Sequence, residues 1–458
     1  MIPLGTDPGM SRLVRVLTLA DYNTRVVIFG VVMLGVAGGV IGTFLLLRRR
    51  ALLADAVGHA ALPGVAGAFM LLTALGMDAR SLPLLLTGAL VSGLAGMGCV
   101  LLINRFTRLS EEAALGIVLS VFFGFGIALL GMIQQMRGAS AAGLGSFIYG
   151  RTASMLRADA QLIGVSALGI VVIATLLFKE FRLYTFDQDF AAGDGWPVHR
   201  LDVLLMSLVV GVTVLGLQAV GIVLVIAVLI IPPAAARFWT DRLSRMVLIS
   251  ALVGAVGGYI GAGISAMAPR LPAGAVIVCV TGVLFVFSLI FGSTHGLLPR
   301  ALDELRLRKQ TRRHHILRCL YECGEAVYNH DQPVPLERVA AARAWNAREL
   351  KAALEDAGRA GLVRRTHTGE FALTERGKVE AHRITRNHRL WEIYLLEHAD
   401  VAASHVDQGA DFIEHVLGNE LVAELERSLQ IQDHTPGSIH ELAAEAPSVS
   451  GTPQEAGR

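Results

Sequence analysis

Nine apolar runs follow one another over the first 292 residues, at about 26–47, 57–75, 82–103, 113–133, 162–178, 203–217, 221–236, 246–264 and 273–291. A helix needs about 20 mainly apolar residues to cross a bilayer. Most of the runs reach that length. The two flanking 217–221 are short, and read either as two spans or as one span with a re-entrant piece, so the pattern predicts eight or nine membrane helices. Overall 53% of residues are hydrophobic and 17% charged, against about 25% charged in soluble domains. The imbalance is uneven, because the basic residues crowd after position 299. The chain therefore reads as a membrane part followed by a soluble part.

Within the apolar runs, Gly35 and Gly39, Gly38 and Gly42, Gly254 and Gly258, and Gly257 and Gly261 recur at i, i+4. Small faces of this kind let helix backbones approach in lipid, where hydrophobic burial cannot drive association. Arg48-Arg49-Arg50 is the strongest cytoplasmic marker, and Arg105/Arg108, Lys179/Arg182/Arg200 and Arg237/Arg242/Arg245 fall on the same side with nine spans. That orientation puts the N-terminus outside and the soluble part in the cytoplasm. Asp7, Arg12, Arg15 and Asp21 make residues 1–23 an extension unlike a cleaved leader. Four scattered cysteines make no disulfide framework, and Cys319 and Cys323, one helical turn apart, read as reduced thiols.

Asp55 and His59 stand four apart at the start of the second run and share a helical face. Ionisable side chains inside a membrane helix are costly and mark an ion or substrate path. A carboxylate with an imidazole is half a site for a first-row divalent metal. The plainer alternative has Asp55 paired with Arg48–Arg50 at the interface and His59 merely buried. The stretch from Arg49 to Gly64, RRALLADAVGHAALPG, resembles the signature of the manganese/zinc/iron permease family of ABC importers, as does the stretch from Leu217-Gln218-Ala219-Val220-Gly221 to Ile231-Pro232-Pro233-Ala234-Ala235-Ala236. The resemblance covers about 20–292 and implies that Asp55 and His59 take part in metal passage. It also implies an ABC ATPase subunit, an extracytoplasmic metal-binding protein and a second permease copy or paralogue as partners.

No GxxxxGK[ST] motif occurs, so the chain is expected to bind no nucleotide by a P-loop and not to be an enzyme itself. The polar loop Phe186-Asp187-Gln188-Asp189-Phe190-Ala191-Ala192-Gly193-Asp194-Gly195 resembles the coupling loop by which ABC permeases dock on their ATPase. Phe186, Asp187, Asp189, Ala191, Ala192 and Gly195 are its candidate contacts. An ordinary polar loop is the alternative.

After 292 the pattern becomes amphipathic and charged. Helical segments at 336–342 and 347–360, followed by strands at 362–366 and 371–373 around His367-Thr368-Gly369-Glu370, make a winged helix. Asn346, Arg348 and Lys351 on its second helix, with Arg364, Arg365 and His367 on the wing, are candidate DNA contacts. Protein docking or plain packing is the alternative for this fold. His388 and Glu392 share one helical face, and Asp411, Glu414 and His415 another, a pattern that builds metal sites between helices. Such oxygen/nitrogen sets suit Mn²⁺ or Fe²⁺.

Residues 311–440 resemble the diphtheria-toxin-repressor family of metal-dependent regulators, through Leu373-Thr374-Glu375-Arg376-Gly377, Asn387-His388-Arg389-Leu390-Trp391-Glu392 and Ile413-Glu414-His415. The resemblance implies His388, Glu392, Glu414 and His415 as ligands, with Asp411 and Asp407 at further ligand positions. His315 stands at the first-helix ligand position. Arg318, one turn on, replaces a possible carboxylate and puts a second ion in doubt.

The fold class expected is mostly α: a polytopic membrane bundle of eight or nine spans, then a cytoplasmic winged-helix domain and a helical metal-binding and dimerisation domain. Expected boundaries are an extension at 1–23, permease at 24–292, linker at 293–313, winged helix at 314–380, metal-binding domain at 381–431 and a disordered tail at 432–458. The function expected is the permease of an ATP-driven importer of Mn²⁺ or Fe²⁺, with Zn²⁺ as a further candidate, in the bacterial inner membrane, fused to a metal-sensing domain. The alternative is a membrane-tethered or proteolytically released metal-dependent repressor acting on DNA. A third reading is a domain that only stabilises assembly.

Overall fold

The computed structural model describes residues 21–77, 81–135, 155–267, 271–325, 332–342 and 345–398, with 424, 425 and 427. The chain divides into two compact units, 1–300 and 301–458.

Among the described residues the first unit's regular structure is all helical. Helices α1 (Tyr22–Leu47), α2 (Leu53–Ala74), α3 (Leu82–Phe106), α4 (Glu111–Gln135) and α5 (Arg157–Leu176) are followed by the short α6 (Phe178–Phe186) and α7 (Gln188–Gly193). Helices α8 (Val198–Val220), α9 (Ile222–Arg237), α10 (Leu243–Met267) and α11 (Ala273–Phe291) complete it. Among the described residues eight helices are long and apolar enough to cross a membrane; α9, with 16 residues, is shorter. The sequence left 217–221 open between two spans and a re-entrant piece. Here α8 is a full-length helix, and Gly221, at φ 83° and ψ 165°, separates it from α9. Only glycine takes that backbone conformation without strain.

Helix α1 is the centre of this unit and packs on α5, α8, α9 and α10. Its glycines face two helices at once. A Cβ on Gly35 or Gly39 would strike the backbone of Gly254 or Ser250 on α10, and one on Gly38 or Gly42 would meet Val228 or Leu229 on α9. Ser250 Oγ adds a hydrogen bond to the Gly39 carbonyl at 2.8 Å. On the α9 side the approach has a further cause. Pro232 and Pro233 lie inside α9 and have no N–H for the carbonyls four residues back, those of Val228 and Leu229. Those carbonyls turn to the glycine face of α1, where Cα–H groups can reach them. The Gly257 and Gly261 pair serves a different seam, against Thr281 and Ile277 of α11.

The turn from α1 to α2 is a Schellman motif, with Arg50 N–H donating to the Leu45 carbonyl and Arg49 N–H to that of Leu46, both at 3.0 Å. Its left-handed position is Arg49 (φ 58°), not glycine.

In the second unit, α12 (Leu297–Glu325) begins before the unit boundary and supplies buried Ile316, Leu317, Cys319 and Leu320 to its core. The stretch expected as a linker, 293–313, is mostly helical, since α12 begins at Leu297. Helices α13 (Leu336–Ala342) and α14 (Ala347–Arg359), the hairpin β1 (Val363–Arg365) and β2 (Phe371–Leu373), and α15 (Glu375–His398) follow. The strands pair antiparallel, Val363 opposite Leu373, and Val334 bridges to Phe371. Leu350, Leu354, Leu362, Leu373 and Ile384 close the core. This is a winged helix with a long following helix.

Gly254→Leu is expected to lower the stability of the detergent-solubilised chain by about 1–3 kcal/mol through overpacking. Gly67→Ala, where an added Cβ meets nothing, should leave it within about 0.5 kcal/mol. Thermal unfolding of the two variants side by side checks the contrast.

Candidate metal-ion sites

Asp55 lies in the first turn of α2 and His59 one turn on. His59 Nε2 is 3.4 Å from Asp55 Oδ1, and both side chains are partly exposed, 23% for His59 and 34% for Asp55. The imidazole meets the Phe123 ring of α4 edge-on at 4.7 Å, and its Nδ1 is buried without a hydrogen-bond partner. Among the described residues Asp55 has His59 as its ion-pair partner, while Arg50 and Arg48 turn to other groups. The interface pairing of Asp55 with these two arginines is therefore absent. Pro63, inside α2, withholds a donor from the His59 carbonyl four residues back. The pair thus presents a carboxylate and an imidazole on one partly open face, an oxygen/nitrogen set suited to a divalent transition metal. Sequence reasoning missed Phe123, which carries no charge or spacing signal.

The 186–195 loop holds a short helix. Asp187 caps α7 by accepting from the Phe190 N–H at 2.9 Å, and Gly195 takes φ 83° to leave it. Asp187, Asp189, Ala192 and Gly195 are exposed, and Ala191 is buried and anchors the helix. Phe186 and Phe190 stand out, 63% and 60% exposed. Phe190 was not among the contacts expected; two exposed aromatics three to four residues apart were its available signal.

In the second unit, His388 Nε2 lies 3.1 Å from Glu392 Oε1, both nearly buried on α15. Next to them Arg389 makes two hydrogen bonds to the Glu325 carboxylate of α12, at 3.1 and 2.5 Å. Burial opposes the Arg389 charge, but Glu325 outweighs it and holds the guanidinium pKa above its usual value. Arg318 is buried and pairs along its own helix with Glu322 at 3.3 Å. Asp407, Asp411, Glu414 and His415 lie outside the described residues. Among the described residues no three His, Cys, Asp or Glu side chains gather to hold a metal, so His315 joins no such group there.

On the winged helix, Arg348, Lys351, Arg364, Arg365 and His367 are exposed. Asn346 is the N-cap of α14, its side chain accepting from the Arg348 N–H at 3.3 Å, a local role for a residue the sequence offered as a DNA contact. The Cys319 and Cys323 thiols interact on α12. A hydrogen bond from Cys319, against the opposing effect of burial, lowers the Cys323 pKa to about 7, and the same contact pushes Cys319 far up. Iodoacetamide labelling of Cys323 should therefore reach half its maximal rate near pH 7, well below an ordinary thiol, with Cys319 unlabelled throughout. Peptide mass spectrometry across pH 6–9 checks this.

Residues 20–292 match the family model described as the ABC 3 transport family. Residues 374–438 match the iron dependent repressor, metal binding and dimerisation domain. The chain is 39% identical over 393 residues to the manganese transport system membrane protein MntC of Bacillus subtilis (strain 168), covering 86% of this chain and 88% of that protein. It is 40% identical over 279 residues to the zinc transport system membrane protein TroC of Treponema pallidum (strain Nichols), covering 61% and 92%. Among solved structures it resembles PsaBC from Streptococcus pneumoniae in complex with Fab, at TM-score 0.54 and 27% identity over 62% of this chain and 97% of that one.

Proposed function

The chain belongs to the ABC 3 transport family, and from that membership we propose that it is the permease of an ATP-driven importer of Mn²⁺ or Zn²⁺, with Asp55 and His59 as ligands along the ion path. It is a multi-pass membrane protein whose C-terminal part carries an iron-dependent-repressor-type metal-binding domain. The observation that carries the reading is the Asp55–His59 pair on a partly open face of α2.

Two side chains cannot complete the coordination of a first-row divalent ion, which takes four to six ligands. A second copy of the permease fits the remainder. Helices α3 and α4, which pack on α2, carry exposed apolar side chains, among them Val91, Val121 and Phe125. Those faces suit either lipid or a partner helix. Neutral His59 and ionised Asp55 bind the ion, and a loose, incomplete set lets it leave again, which passage requires. Fe²⁺ has similar donor preferences and is a weaker candidate, because the relatives' names cite manganese and zinc.

The chain has no P-loop, so hydrolysis belongs to a separate ATPase subunit, docked through α7 and its exposed Phe186 and Phe190. An extracytoplasmic binding protein delivers the ion. The C-terminal domain, in the cytoplasm, samples the imported metal through His388 and Glu392 with ligands from the 407–415 stretch. A single ion fits better than two, since Arg318 takes the place of a carboxylate.

Asp55→Ala and His59→Ala should each cut Mn²⁺ or Zn²⁺ uptake by the reconstituted transporter on the order of tenfold or more. Uptake equal to that of the unsubstituted protein would remove the proposed site. For the sensor, His388→Ala in the full chain should weaken Mn²⁺ binding on the order of tenfold or more. Equilibrium binding to the chain in detergent reads this, and unchanged affinity would leave the domain a merely structural role.

A further inference from the structure

Charged and polar groups from four segments of the first unit, α4, α6, α7 and α8, converge on the two arginines of the turn that joins α1 to α2. Arg50 Nε lies 2.6 Å from Glu111 Oε1 at the start of α4, and its Nη1 lies 2.6 Å from Asp202 Oδ1 in the first turns of α8. The same Asp202 oxygen accepts from the Tyr184 hydroxyl of α6 at 2.6 Å. Arg48 stacks over the Tyr184 ring, 4.2 Å from its centroid, and donates to the Tyr184 carbonyl at 3.3 Å. Both terminal nitrogens of Arg48 also donate to Gln188 Oε1 at 3.1 Å, on the first residue of α7.

The cluster has a defined charge balance. Two arginines face two carboxylates, and Tyr184 stays neutral because burial and its bond to Asp202 push its pKa up. Burial opposes the Arg50 charge, yet Asp202 and Glu111 outweigh that and raise its pKa, so the guanidinium remains charged. Charge-assisted hydrogen bonds of this length are the strong, directional kind. Asp202 and Arg50 are both nearly buried, which shields the pair from salt.

Connectivity gives the cluster a direction. At one end is Gln188, in the short helix with the exposed phenylalanines. At the other is Arg50, five residues before Asp55 and joined by a single helical turn. Arg50 also holds Glu111, and so the base of α4, whose Phe123 abuts His59. One guanidinium thereby grips both helices that form the ion pair's surroundings.

We propose that Arg50, Asp202 and Tyr184 are positioning residues that carry displacement of the docking helix α7 to α2 and α4, and so to the ion ligands. The proposal rests on the functional reading above, in which α7 meets the ATPase and Asp55 and His59 meet the ion. Movement at Gln188 reaches Arg48 and Tyr184, then Asp202, then Arg50. Loss of the Asp202 charge breaks the chain at its shared oxygen.

The test is made on the full transporter, chain and ATPase subunit together, in proteoliposomes, reading Mn²⁺ uptake and ATP hydrolysis on the same vesicles. Asp202→Asn keeps the shape and an acceptor for Tyr184 but removes the charge. It should reduce uptake about tenfold, the effect of one lost charge-assisted hydrogen bond, while hydrolysis stays within about twofold. Ions delivered per ATP thus fall, a readout that poor folding alone does not move. Asp202→Glu should restore most of the ratio. Tyr184→Phe, which removes a single oxygen, should lower it about two- to threefold and decides the matter if Asp202→Asn fails to assemble. A ratio equal to wild type in both variants overturns the proposal, as does a proportional loss of uptake and hydrolysis. Asp55→Ala run in parallel separates the two ideas. If it abolishes uptake while Asp202→Asn transports normally, the relay falls and the ion site stands; if Asp55→Ala transports normally, the ion site falls.

Discussion

Everything in the membrane unit depends on how closely α1 can approach α9 and α10. In lipid the apolar surface of a helix gains nothing from meeting another helix, so association has to come from dense contact and polar groups. Gly35 and Gly39 bring the α1 backbone onto that of α10, and Gly38 and Gly42 bring it onto α9. These are adjacent faces of one helix, each built from a glycine pair at i, i+4, the two pairs offset from each other by three residues. The prolines of α9 make the second face more than a steric fit. By withholding two N–H groups they leave carbonyls that must find other partners in a medium without water, and the glycine Cα–H groups of α1 are where those carbonyls point. The two features, Pro-Pro in one helix and spaced glycines in another, are one device.

The periphery is packed more loosely around this centre. Helices α3, α4 and α11 expose much of their apolar surface, and α2 packs mainly on α3 and α4. The ion pair therefore lies in a subassembly joined to the centre chiefly through α8 and through the Arg48–Arg50 turn. That turn carries a non-glycine residue in the left-handed conformation, at a cost of about 1 kcal/mol. The Schellman hydrogen bonds, the contacts of Arg48 with Tyr184 and Gln188, and the ion pairs of Arg50 offset it. Charge pairing by Arg50 holds the setting of this strained turn.

Much of this was legible in the sequence, for particular reasons. Apolar run length gave the spans because a bilayer has a fixed thickness, and i, i+4 spacing gave Asp55 with His59 and His388 with Glu392 because a helix has a fixed pitch. The winged helix followed from turn chemistry at Gly369 and from the alternation around it. Three kinds of feature were not legible. The partition of four glycine pairs between three seams depends on tertiary packing. Phe123 and Phe190 act through position alone. The Arg50–Asp202–Tyr184 cluster joins residues more than 150 positions apart, and nothing in local spacing ties Asp202 to Arg50. Arg48–Arg50 was legible as a topological marker, and that reading concealed that two of the three arginines are occupied in ion pairs and hydrogen bonds within the fold.

The soluble unit raises a different energetic question, because a sensor can bias transport only as far as metal binds its two states unequally. A hundredfold preference corresponds to about 2.7 kcal/mol, which is comparable to one buried ion pair being made or broken. The Arg389–Glu325 pair is half-exposed on its Glu325 side, which discounts its strength below that of a buried pair. It joins α15, next to the proposed ligands His388 and Glu392, to α12, the helix that begins six residues after the last membrane helix ends. Neutralising His388 and Glu392 by a divalent ion changes the field at Arg389, one residue away, and so the strength of its hold on α12. Glu392 contributes to keeping the Arg389 charge in place, and a bound cation would remove that contribution.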